Sequence, residues 1–129
     1  METEPSDDCR AFRLIRPDWV MDDEGVKRPT SQAFADSAED GKLSVFLEDE
    51  IRAAGKSPED LLGLAEFPRY RLCWIRVGAL RSLDQLIERD PQPIFPGHAL
   101  VSNVNKGRRS TGTRRKIAFA VRWWNEADG

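Results

Sequence analysis

The sequence predicts an α+β domain, with a twisted mixed or antiparallel sheet of about four to six strands and a C-terminal amphipathic helix packed on one face. Three observations favour this fold class. Short, largely apolar segments typical of strands occur at positions 11–16, 43–47, 70–77 and 98–104, and residues 85–89 could form a further strand. The connections between them are too short for the repeated crossover helices of a parallel α/β fold. Residues 114–126 carry Ile117, Val121 and Trp124 at the spacing of a buried helical stripe.

Length and composition predict a single domain. The chain has 129 residues, of which 40% are hydrophobic and 33% charged, as in ordinary globular proteins. We expect residues 1–10 to be a flexible acidic tail and residues 11–129 to form the domain. No apolar run approaches the ~20 residues of a membrane span, and the acidic N-terminus is unlike a secretory signal. Cys9 and Cys73 are too few for a disulfide framework, so we expect free thiols in a reducing cytoplasm.

The first half of the chain is predicted to alternate strands with short helices. Pro17 ends the first strand, and residues 18–30 are expected to form a loop with an acidic turn. Residues 31–37 could form either a helical turn or a strand. A helix is predicted at residues 48–54, because acidic residues in its first turn suit the helix dipole and Gly55 suits its C-terminal end.

The second half begins with a clear helix start. Ser57 suits the N-cap, Pro58 the first helical position and Asp60 the third, in a helix that runs to about residue 64. Residues 70–77 are apolar on both faces, which predicts an interior strand, and a bend or a short helix follows at 78–83. An extended corner then leads into the strand that begins at His98, because proline favours extended backbone; its prolines are Pro91, Pro93 and Pro96.

Charge is distributed unevenly along the chain. Residues 1–60 carry 16 acidic and 8 basic side chains, whereas residues 61–129 carry 6 acidic and 12 basic ones. Such asymmetry indicates either a basic binding face or one mixed, solvated surface. The basic segment, residues 106–116, interleaves glycine, serine and threonine with Lys106, Arg108, Arg109, Arg114, Arg115 and Lys116.

This basic segment is the leading candidate for a binding site. Arg114 and Arg115 fall in the first turn of the predicted helix, where the positive end of the dipole disfavours them, and a bound anion would offset that cost. Trp123, on the same helix, could remain half exposed and anchor a partner. We therefore expect a non-enzymatic protein that binds nucleic acid or an acidic protein partner through residues 106–116 and Trp123. A solvated loop and ordinary core packing of Trp123 are the alternatives.

His98, the only histidine of the chain, is the leading candidate for catalysis. A histidine can act as general acid or base near neutral pH, although it can also be a hydrogen-bonded structural residue. The alternative to binding is therefore an enzyme acting on a nucleotide or nucleic acid, with His98 beside Ser44 and beside Arg13 or Arg16. Other candidate partners for the ring are Asp84, Glu88 and Asp90. The chain contains no H-x-x-x-H and no C-x-x-C spacing, so we expect neither a metal nor a cofactor.

Two resemblances accompany these patterns. An order of arginine, serine and glutamate similar to that of ADP-ribosyltransferase-like folds is formed by Arg13 or Arg16, Ser31 or Ser44, and Glu48 or Glu50. In that family the arginine binds the nucleotide, a serine-containing strand supports the nicotinamide ribose and the glutamate does the chemistry. The stretches RLIRPDWV, SQAFADS with LSV, and DPQPIFPGHALV resemble small uncharacterised bacterial proteins, a resemblance that implies no activity. A nuclease-like enzyme and a small structural subunit of a larger assembly are further alternatives.

Overall fold

The computed structural model describes residues 4–34, 42–65, 69–104 and 109–124, which form an α+β fold that is mostly sheet. The strands are β1 (Arg10–Ile15), β2 (Val20–Asp23), β3 (Val26–Pro29), β4 (Leu43–Leu47), β5 (Arg71–Arg76), β6 (Gln85–Arg89), β7 (His98–Asn103) and β8 (Arg122–Trp123). The α-helices are α1 (Glu48–Ala53), α2 (Val77–Ser82) and α3 (Thr111–Ala120). Short 3-10 helices occur at Pro17–Trp19, Ser31–Phe34 and Pro58–Leu64.

Six of these strands form one antiparallel sheet in the spatial order β6-β7-β4-β1-β5-β8, and β2 and β3 form a separate hairpin. The predicted α+β class is therefore confirmed, as is the C-terminal helix packed on one face of the sheet. Residues 35–37 of the segment that could be helix or strand lie outside the described residues. The part that is described forms the 3-10 helix Ser31–Phe34.

Successive side chains of each strand point to opposite faces of the sheet, and both faces are apolar. On one face, Val45, Cys73 and their neighbours pack against α2 and α3 and against the 3-10 helix Ser31–Phe34. On the other face, Phe12 and Trp74 pack against Ile51 of α1 and the 3-10 helix Pro58–Leu64. Coverage on both sides explains why β5 is apolar on both faces, as an interior strand should be.

The acidic N-terminal segment is in part attached to α2. The backbone N–H of Gly78 donates to the Asp7 carbonyl at 2.9 Å, and Arg81 donates to the Pro5 carbonyl at 2.8 Å. Arg10 already belongs to β1. Part of the expected tail is thus held against α2 by hydrogen bonds to its backbone carbonyls, and residues 1–3 lie outside the described part of the chain.

The segment expected to be a loop at residues 18–30 contains the β2–β3 hairpin. Its two-residue turn has positive φ at Glu24 (53°) and Gly25 (85°), the combination that a tight hairpin turn requires. Ion pairs between the strands join Lys27 to Asp22 at 2.7 Å and Arg28 to Asp23 at 3.2 Å. The strands were missed because their exposed, charged residues do not alternate with apolar ones.

The C-terminal helix was predicted at residues 114–126, and these bounds are wrong. The helix starts earlier because the Ser110 side chain accepts a hydrogen bond from the Thr113 backbone N–H at 3.1 Å and caps it. It ends at Ala120, after which β8 pairs with β5 and the Trp124 N–H donates to the Leu72 carbonyl at 2.8 Å. Pairing with the sheet edge has overridden the helical periodicity.

Gly97 closes the proline corner against β4. Its φ of +92° is a left-handed conformation, and a Cβ at this position would lie 2.6 Å from the Leu47 carbonyl oxygen. We therefore expect Gly97→Ala to lower the free energy of unfolding by about 2 kcal/mol or more, measured by urea denaturation. Gly55→Ala is the matched control, because Gly55 has φ +77° but no atom within 4 Å of the added Cβ. Equal losses in the two variants would contradict the backbone clash.

The stability of the protein should depend on pH through two carboxylates of α1, those of Glu48 and Asp49. Hydrogen bonds from Arg89 lower the pKa of Asp49, and a hydrogen bond from Arg10 lowers the pKa of Glu48. A carboxylate whose pKa is lowered by folding stabilises the native protein at pH values above its unfolded pKa of about 4. This contribution to the free energy of unfolding is lost as the pH falls from that value through the lowered folded-state pKa. Urea denaturation from neutral pH to about pH 3 should therefore show a falling free energy of unfolding.

The variant Arg89→Gln should flatten that pH dependence. Arg16→Gln is the control, because Arg16 and Asp18 form an ion pair whose side chains are 49% and 62% exposed. An Arg89→Gln profile parallel to that of the unsubstituted protein would show that the Asp49–Arg89 contact is not the source.

Candidate functional site

One side of α3 presents cations and an aromatic ring to solvent. Ile117 and Ala118 are buried against the sheet, whereas Arg115, Lys116 and Phe119 are exposed. The helix contains no acidic residue. Within the described ranges, neither Arg115 nor Lys116 forms an ion pair, so their charges face outward. This side of α3 is the strongest candidate surface for an anion.

Two depressions, both lined by Phe119, lie between α3 and the β2–β3 hairpin. The first has a volume of about 340 Å³ and is lined by residues that include Met21, Asp23, Arg28, Thr30, Arg115 and Phe119. The second, of about 320 Å³, is lined by residues that include Lys27, Arg28, Phe119, Val121 and Arg122. We call this surface, defined by Met21, Arg28, Thr30, Arg115, Phe119 and Arg122, the α3 groove.

Phe119 is the most prominent residue of the groove. Its exposed fraction is 69%, and the guanidinium carbon of Arg28 lies 5.4 Å from the ring centroid, within cation–π range. Thr30 lines the first depression, and its hydroxyl is buried and has no hydrogen-bond partner among the described residues. The groove therefore combines cations, an accessible ring and an unused polar group.

The basic segment divides between this surface and the interior. Arg109 was predicted to bind a partner, but it is only 4% exposed. Its guanidinium donates to the Gln85 side-chain oxygen at 2.7 Å and to the Val101 carbonyl. Arg114 is half-buried and donates to the Thr111 hydroxyl at 3.1 Å, while Arg115 and Lys116 are exposed. Lys106 and Arg108 lie outside the described residues.

Trp123 was predicted to be a half-exposed anchor on the helix, and the structure corrects this. Trp123 lies in β8, is 7% exposed and donates its indole N–H to the Lys27 carbonyl at 2.9 Å. It packs in the core and ties the sheet edge to the hairpin. The accessible aromatic residue of α3 is Phe119, which is 69% exposed.

His98 forms a second constellation with two residues that were among its candidate partners. Its Nε2 lies 3.1 Å from the Ser44 hydroxyl, and its Nδ1 lies 2.9 Å from the Asp90 carbonyl and 3.1 Å from the Asp90 carboxylate. Both Asp90 groups are acceptors, so in the neutral ring Nδ1 donates to Asp90 and Nε2 accepts from the Ser44 hydroxyl. A hydroxyl, a base and an orienting carboxylate in this order are the parts of an activated nucleophile.

Neither predicted arginine joins this constellation. Arg16 pairs with Asp18 at 3.1 Å and lies over Trp19. Arg13 is on the opposite face of the sheet and donates to the backbone carbonyls of Ala33 and Ser44, each at 2.9 Å. Burial lowers the pKa of Arg13 to about 10, which leaves it protonated at neutral pH. The predicted combination of His98 with an arginine is therefore not formed among the described residues.

Glu48, a candidate in the ADP-ribosyltransferase-like order, is held by arginines. Arg10 contacts it at 2.6 Å and Arg52 at 3.2 Å, and hydrogen bonding to Arg10 is the main reason for its lowered pKa. No contact joins Glu48 to Ser44 or Arg16 within the described residues. Those ranges also contain no cluster of three metal-ligating side chains and no helix that is long and apolar enough to cross a membrane.

Comparison with known proteins adds no family to this geometry. No protein-family model matches the chain, and neither a curated protein nor a solved structure is significantly similar to it.

Proposed function

We propose that this protein binds a negatively charged macromolecule through the α3 groove. The observation that supports this most directly is the set of outward-facing cations beside the exposed ring of Phe119, on a helix without acidic residues. Neutralisation of phosphates by lysine and arginine releases condensed counter-ions, which supplies sequence-independent affinity. Carboxylates of an acidic protein would be attracted by the same cations.

The net charge of −2 requires that this attraction be local. A cationic surface on a protein of low net charge attracts anions only at short range, because salt screens charges beyond about 8 Å at physiological ionic strength. Asp23, which lines the first depression of the groove, is paired with Arg28, and the acidic first turn of α1 packs on the opposite face of the sheet from α3. The attraction is therefore supplied mainly by Arg115 and Lys116, which form no ion pair among the described residues.

Charge reversal at Arg115→Glu and Lys116→Glu tests the proposal. The double variant should lose binding of a fluorescein-labelled oligonucleotide or acidic peptide in an anisotropy titration, and the salt dependence of the remaining binding should become shallower. The matched control is Arg52→Glu with Lys56→Glu, which changes the net charge equally at exposed positions near α1. Circular dichroism checks that all variants fold.

Two outcomes of that titration would contradict the proposal. One is an equal loss of affinity in the control variant, which would mean that binding follows net charge alone. The other is failure of the unsubstituted protein to bind either anionic probe at low ionic strength.

A second candidate function is nucleophilic catalysis by Ser44, and the 3.1 Å separation between the Ser44 hydroxyl and Nε2 of His98 favours it. In such a reaction the hydroxyl proton passes to Nε2 while Oγ bonds to an acyl or phosphoryl centre. The proton then leaves with the departing group, and water releases the product from Ser44.

A fluorophosphonate probe tests this second candidate, since it labels activated serines. Label should appear on Ser44, disappear in Ser44→Ala and fall at least tenfold in rate in His98→Gln. Ser102→Ala is the control, because Ser102 lies on the neighbouring strand β7 and should not alter labelling. If Ser44 is not labelled, the role of His98 is structural: it links β4 to the proline corner.

A further inference from the structure

We propose that the occupant of the α3 groove is single-stranded nucleic acid, with one unpaired base stacked on Phe119. This inference rests on the proposed anion-binding function and narrows it to one class of ligand.

The ring of Phe119 is accessible to a ligand. Phe119 lies on α3 next to the buried residue Ala118, yet 69% of Phe119 is exposed, and the ring lines depressions of about 340 and 320 Å³. A flat aromatic side chain with open volume beside it can accept another flat, apolar surface. Nucleobases have such a surface, and stacking is tolerant of sequence because every base presents a π-face.

Cationic side chains lie near the ring of Phe119. Arg115 precedes Phe119 by one helical turn and lines the first depression, while Arg122 follows it and lines the second. Arg28 reaches the ring from the hairpin. A stacking residue flanked on both sides by cations suits a chain in which bases alternate with phosphates, as in single-strand binding grooves.

The residues of the groove suit a nucleic acid better than an acidic protein. A carboxylate-rich peptide would neutralise Arg115 and Arg122 but would gain nothing from Phe119. Asp23, which lines the first depression and pairs with Arg28 at 3.2 Å, offers no hydrogen-bond donor to the carboxylates of such a peptide. A carboxylate can instead accept hydrogen bonds from base amino groups, and the buried Thr30 hydroxyl offers a further polar contact. The composition of the groove thus favours a base over a side-chain carboxylate.

The groove suits single-stranded nucleic acid better than a duplex. In a duplex the bases are stacked on one another, so Phe119 cannot reach a base face, and only the phosphates remain available to the cations. Phe119 should therefore contribute to the affinity for single strands and not to the affinity for duplexes.

The experiment measures the affinity of the full chain for one labelled oligonucleotide, alone and annealed to its complement, by fluorescence anisotropy. Phe119→Ala should weaken single-strand binding about five- to 150-fold, the value of one base stack, and leave duplex binding unchanged. Phe119→Trp should retain single-strand affinity. Because Phe119 is exposed, both variants should fold, and Leu86→Ala, at a 49% exposed position on β6, is the matched control.

Failure of this inference is distinguishable from failure of the proposed function. If Arg115→Glu with Lys116→Glu abolishes binding but Phe119→Ala affects both nucleic acids equally or not at all, stacking is overturned and anion binding stands. If an acidic peptide binds and neither nucleic acid does, the ligand class is overturned. If no anionic probe binds, both proposals fail.

Discussion

A buried guanidinium group sets the position of the last described segment, residues 109–124. Arg109 donates to the Gln85 side chain and the Val101 carbonyl, and Gln85 in turn donates to the Asn103 side chain at 3.0 Å. Burial of a guanidinium is costly unless its N–H groups are bonded, so these acceptors on β6 and β7 hold the chain at one place on the sheet. The helix cap at Ser110 follows immediately, and α3 therefore begins from a fixed point.

This anchor explains how the basic segment can be both structural and exposed. Once the start of α3 is fixed, Ile117 and Ala118 face the sheet and Arg115, Lys116 and Phe119 face solvent. The indole of Trp123 then ties β8 to the Lys27 carbonyl and brings the hairpin beside the helix. The α3 groove is thus formed between two elements that the core holds in place.

Much of the fold could be predicted from local patterns. The strands β4, β5, β6 and β7 follow apolar and β-branched runs, and Ser57, Pro58 and Asp60 form the expected helix start, including the capping box. The hairpin could not be predicted in this way, because its polar strands are stabilised by ion pairs and a tight turn rather than by an apolar face. The end of α3 depended on pairing with β5, which is not a local property.

The candidate site was predictable only in part, for a related reason. Counting cations along residues 106–116 could not separate Arg109, which reaches inward, from Arg115, which reaches outward, because the difference depends on where the sheet lies. Trp123 is buried rather than half exposed because the helix ends early and β8 pairs with β5. His98 and Ser44 were both named as candidates, but their contact follows from the β4–β7 register, in which Phe46 lies opposite His98.

The central claim is that α3 and the hairpin together form the binding surface. Chemical-shift mapping of the ¹⁵N-labelled full chain during titration with a single-stranded oligonucleotide tests it most directly. Shifts are expected only at the amides of α3, β2, β3, Thr30 and Arg122 and at the indole N–H of Trp123. Shifts centred on α1 or on the edge strand β6, with α3 unaffected, would contradict it.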